Sequence, residues 1–464
     1  MNIDPDFIFE TSWEVCNKIG GIYTVISTKA KSIIEEYGDN YVVIGPDVWK
    51  ETHKNPDFRE DPLLFKDWKL VAESEGLKVR TGRWNIEGSP QVILVDFTPL
   101  FPQKDAIFSG LWETYELDSL HGHWDYIEAA IFGYAAGQVV ESFSNYNFNQ
   151  ETNVVAHFHE WMTGTGILYL KDKAPEVSNV FTTHATVMGR SIAGNGFPLY
   201  DNIEQYDPSR IANDFNIQSK HSLESISAQQ ADVCTTVSEI TARECRQFFG
   251  IDPQIITTNG FEKDFVPKGN KFTKVRNSAR KKALEIANLR TGTSYNEDTI
   301  LILTSGRYEY INKGIDLYIR ALNNAAAGTK KQIVAFITVP SGHYDVVKPK
   351  DGNYLGNDRI LTHNLHNPEQ DPVLNELRIL GIENQKADNL HIIFAPVYLN
   401  GNDGVIDLEY YDFLTGFDLT IFPSYYEPWG YTPLESIAFK IPTITTNFAG
   451  FGTWVNNTFK LKHD

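Results

Sequence analysis

The sequence predicts an α/β fold with two doubly wound domains, each built on a parallel sheet that helices cover on both faces. Short β-branched and apolar runs alternate with helix-like stretches, which is the pattern of such sheets. The 464 residues exceed one ordinary core, so at least two domains are expected. A charged stretch at residues 261–296 separates two series of strand-like runs. We therefore expect domains at residues 1–263 and 264–464, with a deep cleft between them.

Each series supplies the strands of one predicted sheet. The first has strands at residues 7–12, 41–44, 92–97, 154–158, 180–183, 233–237 and 255–258, and a long helix at 126–143. The second has strands at residues 299–305, 334–339, 390–394, 419–422 and 443–446, and a short helix at 435–439. Residues 348–388 are rich in Asn, Pro and charge, so they are expected to form a surface insertion. The chain ends soon after the last strand, so the second domain is expected to be incomplete.

Composition excludes several classes of partner. The formal net charge of -19 argues against nucleic acid and anionic membranes. No apolar run is long enough to span a bilayer, and the acidic N-terminus does not resemble a signal peptide. The three cysteines have neither disulfide nor metal-ligand spacing, so a cytoplasmic protein without metal or cofactor is expected.

The most informative stretch is 425–435, between a predicted strand and a predicted helix. Thr432, Pro433 and Glu435 fit the N-cap, N1 and N3 positions of a capping box. A helix start offers free N–H groups and a positive dipole end, which suits a phosphate. The alternative is that Glu435 only caps the helix while Glu427 lies in solvent. These residues alone leave both interpretations open.

Reactive residues follow several other predicted strands, at the edge where open α/β sheets bind ligands. They are Lys18 with Gly20-Gly21, His159-Glu160-Trp161, His184 with Arg190, Gly306-Arg307, and Lys313. Glycine pairs can bring amides against a phosphate, and Arg and Lys can hold a diphosphate. Each of these residues is also common in turns, packing or surface ion pairs. Together with the 425–435 stretch, these residues form five clusters at five strand ends, which indicates a ligand site.

Together these motifs resemble one enzyme family, the glycogen synthases of glycosyltransferase family 3. The resemblance runs from residue 7 to about 455, whereas bacterial and plant-type starch synthases share looser versions. It rests on Phe9-Glu10 through Glu14-Val15, Asn17 to Tyr23, His157 to Trp161, Phe181 to Thr186 with Gly189-Arg190, Thr258-Asn259-Gly260, Gly306 to Tyr310 with Asn312-Lys313-Gly314, and Phe422 to Pro433.

The resemblance implies a GT-B architecture and metal-independent, retaining transfer of glucose from UDP-glucose to the non-reducing 4-OH of a glycogen chain. It implies that Arg190, Arg307 and Lys313 hold the diphosphate, that Glu427 contacts the glucose and that His184 lies near the reacting carbon. The implied donor-binding residues are Lys18, Gly20, Gly21, Trp429, Gly430, Tyr431, Thr432 and, at the ribose, Glu435. The implied acceptor-binding residues are His159, Glu160 and Trp161.

Two alternatives stay open beside UDP-glucose transfer to glycogen. One is a related retaining transferase that uses ADP-glucose, since no motif reads the base. The other is a glycogen-binding scaffold without catalysis, against which the presence of Arg190, Arg307, Lys313 and Glu427 argues. The expected partners are the sugar nucleotide, an α-glucan primer and, in a homo-oligomer, further copies of the chain. The family's tetramer contacts and its control by glucose 6-phosphate are not expected, because the corresponding segments are shorter or lie beyond residue 464.

Overall fold

The structure is a computed structural model that describes residues 4–49 and 55–460. The chain divides into two compact units. Unit 1 comprises Met1–Ile192 with Pro198–Gly260, and unit 2 comprises Ala193–Phe197 with Phe261–Asp464. Among the described residues, no helix combines the length and the apolar character needed to cross a bilayer.

Unit 1 contains a nine-stranded sheet, in the order β3-β4-β5-β2-β1-β6-β7-β8-β9. Its strands are β1 (Phe7–Thr11), β2 (Tyr41–Pro46), β3 (Phe58–Glu60), β4 (Val79–Trp84), β5 (Gln91–Val95), β6 (Val154–His159), β7 (Ser178–Thr183), β8 (Val233–Thr236) and β9 (Ile255–Ile256). The seven strands from β5 to β9 in this order are parallel, which confirms the predicted α/β sheet. The antiparallel edge strands β3 and β4 were not predicted.

Nine helices accompany this sheet within the described residues. They are α1 (Gly21–Tyr37), α2 (Lys66–Ser74), α3 (Lys104–Tyr115), α4 (Trp124–Asn147), α5 (Gly164–Lys173), α6 (Val187–Gly194), α7 (Pro208–Asp214), α8 (Gln218–Gln230) and α9 (Glu239–Phe249). The predicted buried helix is α4, and α5 packs closely on it: a Cβ on Gly133 would come within 2.5 Å of Thr165 Oγ1. Aromatic rings fill the space between β1 and α4, where Phe9 and Phe143 pack edge to face at 5.4 Å. Burying such a ring stabilises the fold by about 2–3 kcal/mol.

Unit 2 contains a five-stranded parallel sheet and a separate antiparallel hairpin. In chain order the strands are β10 (Ile300–Ser305), β11 (Ile333–Thr338), β12 (His343–Val346), β13 (His363–Leu365), β14 (Leu390–Ala395), β15 (Leu419–Phe422) and β16 (Thr443–Thr445). The helices are α10 (Asn270–Thr291), α11 (Ile315–Ala327), α12 (Pro372–Leu380), α13 (Tyr410–Leu414), α14 (Tyr431–Ala438) and α15 (Gly450–Phe459). The parallel sheet has the order β14-β11-β10-β15-β16, and β12 pairs with β13.

Both faces of this sheet are buried, as the apolar runs predict for a parallel sheet. In β10, Ile302 packs into the core on one face, while Leu301 and Leu303 pack into the core on the other. Strand periodicity of two therefore gives each successive side chain a buried environment.

The sequence had predicted a surface insertion at residues 348–388. Part of this segment instead lies in the core of unit 2. In α12, Val373, Leu374 and Leu377 are buried in the same apolar cluster as Ile319 of α11. The high Asn, Pro and charge content of the segment concealed this short amphipathic helix, which Asp371 caps by accepting a hydrogen bond from the Leu374 N–H at 3.0 Å.

Candidate functional site

Each sheet has a topological switch point, the place where such folds bind ligands outside the carboxyl ends of the strands. In unit 1, β1 lies between β2 and β6. In unit 2, β10 lies between β11 and β15. The predicted site residues follow these strands or their neighbours.

In unit 2, the loop after β10 carries two of the predicted cations. Arg307 is 54% exposed at its side chain, and its Nε lies 3.2 Å from Glu309 Oε1. Lys313 forms an ion pair with Glu427, and both side chains are largely buried, at 16% and 14% exposed. The structure therefore brings together Lys313 and Glu427, to which the family resemblance assigns separate roles at the diphosphate and the glucose.

The backbone fixes this ion pair in place. The carbonyl of Asn312 accepts hydrogen bonds from the N–H groups of Tyr425 and Tyr426, at 2.9 and 3.1 Å. Gly314 has a φ of 62°, and a Cβ there would lie 1.9 Å from the carbonyl oxygen of Pro423. Only glycine allows this approach of the two loops. Glu427 is held in turn by its own carbonyl, which accepts from the Gly450 N–H at 2.9 Å.

The predicted capping box is wrong. Helix α14 begins at Tyr431 with Gly430 as its N-cap, so Thr432 and Pro433 occupy the second and third helical positions. The left-handed φ of 104° at Gly430 turns the chain into the helix two residues before Thr432. Proline is tolerated in this first turn, where N–H groups have no intrahelical partner.

Glu435 lies on the buried side of α14 and does not cap it. The Tyr411 hydroxyl donates a hydrogen bond to Glu435 Oε1 at 2.9 Å. Burial raises the pKa of Glu435 to about 7, although the bond from Tyr411 lowers it. The Tyr411 ring stacks on Phe439 at 5.1 Å, which holds this partner in place. Glu435 is thus a partly protonated carboxyl near neutral pH.

Trp429, predicted to contact the donor, is 4% exposed and packs at 5.8 Å from Phe451 and at 6.2 Å from Trp454. These contacts join the loop that carries Glu427 to α15. Trp429 therefore packs the loop that carries Glu427 against α15.

In unit 1, the carboxylate of Glu14 already occupies the start of α1, at the glycine pair Gly20-Gly21. Glu14 Oε2 accepts hydrogen bonds from the N–H groups of Gly20 and Tyr23, at 2.8 and 2.9 Å. Gly20 is the N-cap of α1, so Glu14 satisfies the amides that a phosphate was predicted to meet. Lys18 lies nearby, with its Nζ 5.4 Å from the centre of the Tyr23 ring.

Three buried carboxylates hold the loop between β7 and α6, which carries His184 and leads to Arg190. Glu160 Oε1 accepts from the N–H groups of His184 and Ala185, at 2.8 and 3.0 Å. Glu224 accepts from the Val187 N–H at 2.9 Å. Glu244 accepts from the Thr186 hydroxyl at 2.5 Å. The conformation of this loop is therefore specified by carboxylates on three other segments, a role that sequence reasoning did not assign.

The same carboxylates have unusual acidity. Burial raises the pKa of Glu160 to about 7, while the loop amide of His184 and the charge of Arg190 lower it. Burial also raises the pKa of Glu224 well above its ordinary value. Arg190 is thus electrostatically coupled to Glu160, which brings two predicted site residues into one group.

Sequence reasoning missed a buried network at Glu10, the fourth residue of β1. Glu10 is 1% exposed, ion-paired with Lys29 and hydrogen-bonded to the Tyr41 hydroxyl. Burial alone would raise the pKa of Glu10, but Lys29 and His159 hold it well below its ordinary value. The signal was available, because a charged residue inside an apolar strand must find a partner.

The network reaches two predicted site residues. His159 Nε2 lies 2.6 Å from Glu10 Oε1, and His159 Nδ1 lies 2.8 Å from His184 Nε2. The third residue of the predicted acceptor group, Trp161, stacks on Tyr126 at 6.2 Å outside this chain of contacts.

Glu10, His157 and His159 also bring three metal-ligand atoms within 4.8 Å of one another, which the sequence did not predict. The ammonium of Lys29 already neutralises Glu10 there, and His157 Nε2 lies 2.7 Å from Thr182 Oγ1. These contacts explain the cluster as a hydrogen-bonded network, so we assign no metal to it.

Comparison with known proteins adds independent findings. The profile of the family described as glycogen synthase matches residues 10–347 and 357–464. Glycogen [starch] synthase of Neurospora crassa is 30% identical over 98% of this chain and 74% of that protein. Glycogen [starch] synthase isoform 2 of Saccharomyces cerevisiae is 30% identical over 98% of this chain and 76% of that protein.

Solved structures are similar in fold at much lower identity. The catalytic domain of starch synthase IV from Arabidopsis thaliana, bound to ADP and acarbose, has a TM-score of 0.55 at 16% identity, over 97% of this chain and 84% of that one. Sucrose-phosphate synthase from Thermosynechococcus elongatus has a TM-score of 0.51 at 14% identity, over 97% and 83%.

Proposed function

Because the chain belongs to the glycogen synthase family, we propose that it extends an α-1,4-glucan by retaining transfer of glucose from UDP-glucose to the non-reducing end, with release of UDP. Membership confirms the resemblance that the motifs indicated. It makes the protein a glycosyltransferase of GT-B fold that transfers glucosyl groups from a sugar nucleotide to a glucan. The choice of UDP-glucose and the residue roles below are the proposal.

The observation that carries the proposal is the Lys313–Glu427 ion pair at the switch point of unit 2, with the exposed Arg307 on the same loop as Lys313. Departure of UDP places negative charge on the diphosphate, and fixed cations stabilise that charge without a metal. In our proposal Lys313, Arg307 and Arg190 hold the diphosphate. The backbone amides of Gly430 and Tyr431, at the start of α14, add dipoles of the favourable sign.

Glu427 is proposed to contact the transferred glucose and to stabilise positive charge at its reacting carbon. Its ion pair with Lys313 favours this role over that of a nucleophile, because a neutralised carboxylate is a weaker nucleophile. In the step we propose, the acceptor 4-oxygen forms a bond to C1 as the bond from C1 to the phosphate oxygen breaks. Attack on the same face lets the leaving phosphate take the acceptor proton.

The remaining assignments follow the family resemblance. Glu435 and the first turn of α14, with Thr432 and Trp429 around it, are proposed at the nucleoside side of the donor. Lys18 and Gly20-Gly21 are proposed as further donor-binding residues. Since Glu14 holds the Gly20 amide, any phosphate contact there requires this carboxylate to release it.

His159, Glu160 and Trp161 are proposed on the acceptor side, with His184 at the sugar. Glu160 and His159 act there largely through His184, which both contact. We place the reaction in the cytoplasm, since Cys16, Cys234 and Cys245 are free and buried.

Incorporation of labelled glucose into glycogen tests the proposal, with UDP-glucose and ADP-glucose compared at equal concentration. We expect incorporation from UDP-glucose at the higher kcat/KM, and loss of it in Lys313→Met. A preference for ADP-glucose would overturn the donor assignment alone. Glycogen binding without incorporation from either donor would overturn the proposed transferase activity and favour a glycogen-binding scaffold without catalysis.

A further inference from the structure

The geometry points to Glu10 and Lys29 as positioning residues that act through His159 to fix the tautomer and orientation of His184. Glu10, the fourth residue of β1, is linked to His184 through the single imidazole of His159, and Lys29, on α1, is ion-paired with Glu10. Nothing in the motif pattern assigned a role to either residue. The inference deepens the proposed function and rests on it for the place of His184 beside the sugar.

The chain of contacts begins with a fixed negative charge. Glu10 is 1% exposed, and its carboxylate receives the ammonium of Lys29 and the hydroxyl of Tyr41. An ionised carboxylate can only accept hydrogen bonds. His159 Nε2, 2.6 Å from Glu10 Oε1, therefore carries the proton and donates it.

The second step follows from the chemistry of a neutral imidazole, which has one donor and one acceptor nitrogen. Burial lowers the pKa of His159, and lowers that of His184 well below its ordinary value, so both rings are neutral near neutral pH. Because His159 donates from Nε2, its Nδ1 is the acceptor. His184 Nε2, at 2.8 Å, must then donate to it.

The consequence is a defined acceptor at the far side of His184. With the proton on Nε2, its Nδ1 presents a lone pair. Among the described residues, no hydrogen bond engages His184 Nδ1. A bare ring nitrogen accepts a hydrogen bond from a hydroxyl group, which is the group that sugars offer. The network thus prepares His184 to receive a sugar hydroxyl in one orientation.

The groups around the Glu10 carboxylate explain why Lys29 is part of the network. His157 Nδ1 lies 3.6 Å from the same Glu10 oxygen, and its Nε2 lies 2.7 Å from Thr182 Oγ1. Without the cation, the buried carboxylate would take up a proton and could then donate to His159. That reversal would invert both tautomers and turn His184 Nδ1 into a donor.

A direct test measures the tautomer of His184 by NMR of the protein with labelled histidine ring nitrogens. The His184 signals are assigned as those absent from His184→Gln. We expect protonated Nε2 and unprotonated Nδ1. A protonated Nδ1, or fast exchange between tautomers, would overturn the inference, and this measurement on the unaltered chain requires no enzymatic activity.

A kinetic test removes the charge pair as a unit in Glu10→Leu/Lys29→Met. We expect kcat to fall by about a hundredfold while the KM for sugar nucleotide changes by less than about threefold, because geometry at the sugar is lost but the nucleotide contacts remain. The His184 signals should then show both tautomers. The matched control is Lys31→Met/Glu87→Gln, which removes the exposed ion pair between Lys31, also on α1, and Glu87, 2.6 Å apart, and should leave kcat unchanged.

The outcomes separate the two proposals. Unaltered protein that transfers no glucose refutes the proposed function, while its NMR spectrum still tests the network. Active protein whose Glu10→Leu/Lys29→Met variant keeps its kcat refutes the positioning role alone.

Discussion

Lys313 and Glu427 form an ion pair that joins the loop after β10 to the loop after β15, at the switch point of the second sheet. Both side chains are largely buried, at 16% and 14% exposed. A charge in such a position needs its partner, because removing one leaves the other poorly solvated. Stability and the catalytic role that we propose for this pair are therefore linked.

We expect Lys313→Met to lower kcat by about a hundredfold, since a fixed cation no longer stabilises the leaving diphosphate. It should also lower the free energy of unfolding by about 2 kcal/mol, because Glu427 is left without its cation. Steady-state kinetics and urea unfolding measure these effects. Lys281→Met is the control, since Lys281 forms an exposed ion pair with Glu285. Equal kinetics in the two variants would contradict the assignment of Lys313 to the diphosphate.

Gly314 gives a second prediction, about the loop geometry itself. With a φ of 62° and the Pro423 carbonyl 1.9 Å from any Cβ, Gly314→Ala must strain the backbone and separate the loops. We expect a loss of at least about 3 kcal/mol and a Tm lower by about 6–12 °C.

Gly328, at the other end of α11, provides the matched control. Its φ is -91°, and a Cβ there would meet only the Ala325 carbonyl at 3.5 Å. Gly328→Ala should therefore raise stability by about 0.5 kcal/mol. If both alanines had the same Tm, steric exclusion at Gly314 would not explain the glycine.

The parallel sheets could be predicted from sequence because their strands are apolar on both faces and stand out from polar surroundings. The edge strands β3 and β4 could not, since β3 has only three residues, of which two are exposed, and β4 contains Arg80 and Arg83. The start of α14 was misplaced because Thr432-Pro433 fits a capping pattern, whereas the helix begins after a left-handed turn at Gly430, where a Cβ would come within 3.1 Å of Glu427 Cγ.

The site was predictable where a motif is local and less so where partners are distant in sequence. Lys313 and Glu427 were both identified, but their pairing spans 114 residues and follows only from strand order. The loop that carries His184 is held by Glu224 and Glu244, which lie on two different helices. No sequence spacing reveals these contacts. Glu10 was identifiable in principle from its apolar neighbours.

Glu160 gives a third prediction. Its carboxylate accepts the N–H groups of His184 and Ala185, so Glu160→Ala leaves two buried donors without a partner. We expect a loss of about 2–4 kcal/mol in unfolding free energy. We also expect kcat to fall by at least about tenfold, because the loop that carries His184 and precedes Arg190 loses its fixed shape.

Thermal unfolding and glucose-transfer kinetics measure these two effects. The exposed Glu151 lies just before β6, the strand that Glu160 follows, and supplies the control Glu151→Ala. A variant that keeps its Tm but loses affinity for glucan would show that Glu160 contacts the acceptor directly rather than shaping the loop.

Glu435 gives a prediction about pH. Its pKa is raised by burial to about 7 in the folded protein, from 4.5 in an ordinary carboxyl. Between these values the folded state holds a proton that the unfolded state has released, so stability falls as pH rises through this window. The effect approaches about 3 kcal/mol above about pH 7. Glu435→Gln removes the titrating group and keeps an acceptor for the Tyr411 hydroxyl.

We therefore expect the Tm of Glu435→Gln, relative to unaltered protein, to increase steadily from about pH 5 to about pH 8. Measuring Tm across this range for both proteins isolates the contribution of Glu435 from other carboxyls such as Glu160, which titrate in both. Glu369→Gln, a change at an exposed carboxylate of the same unit, should give a Tm difference that does not vary with pH. A constant difference for Glu435→Gln as well would mean that this carboxyl is ionised throughout the range, and that its burial is compensated by a partner.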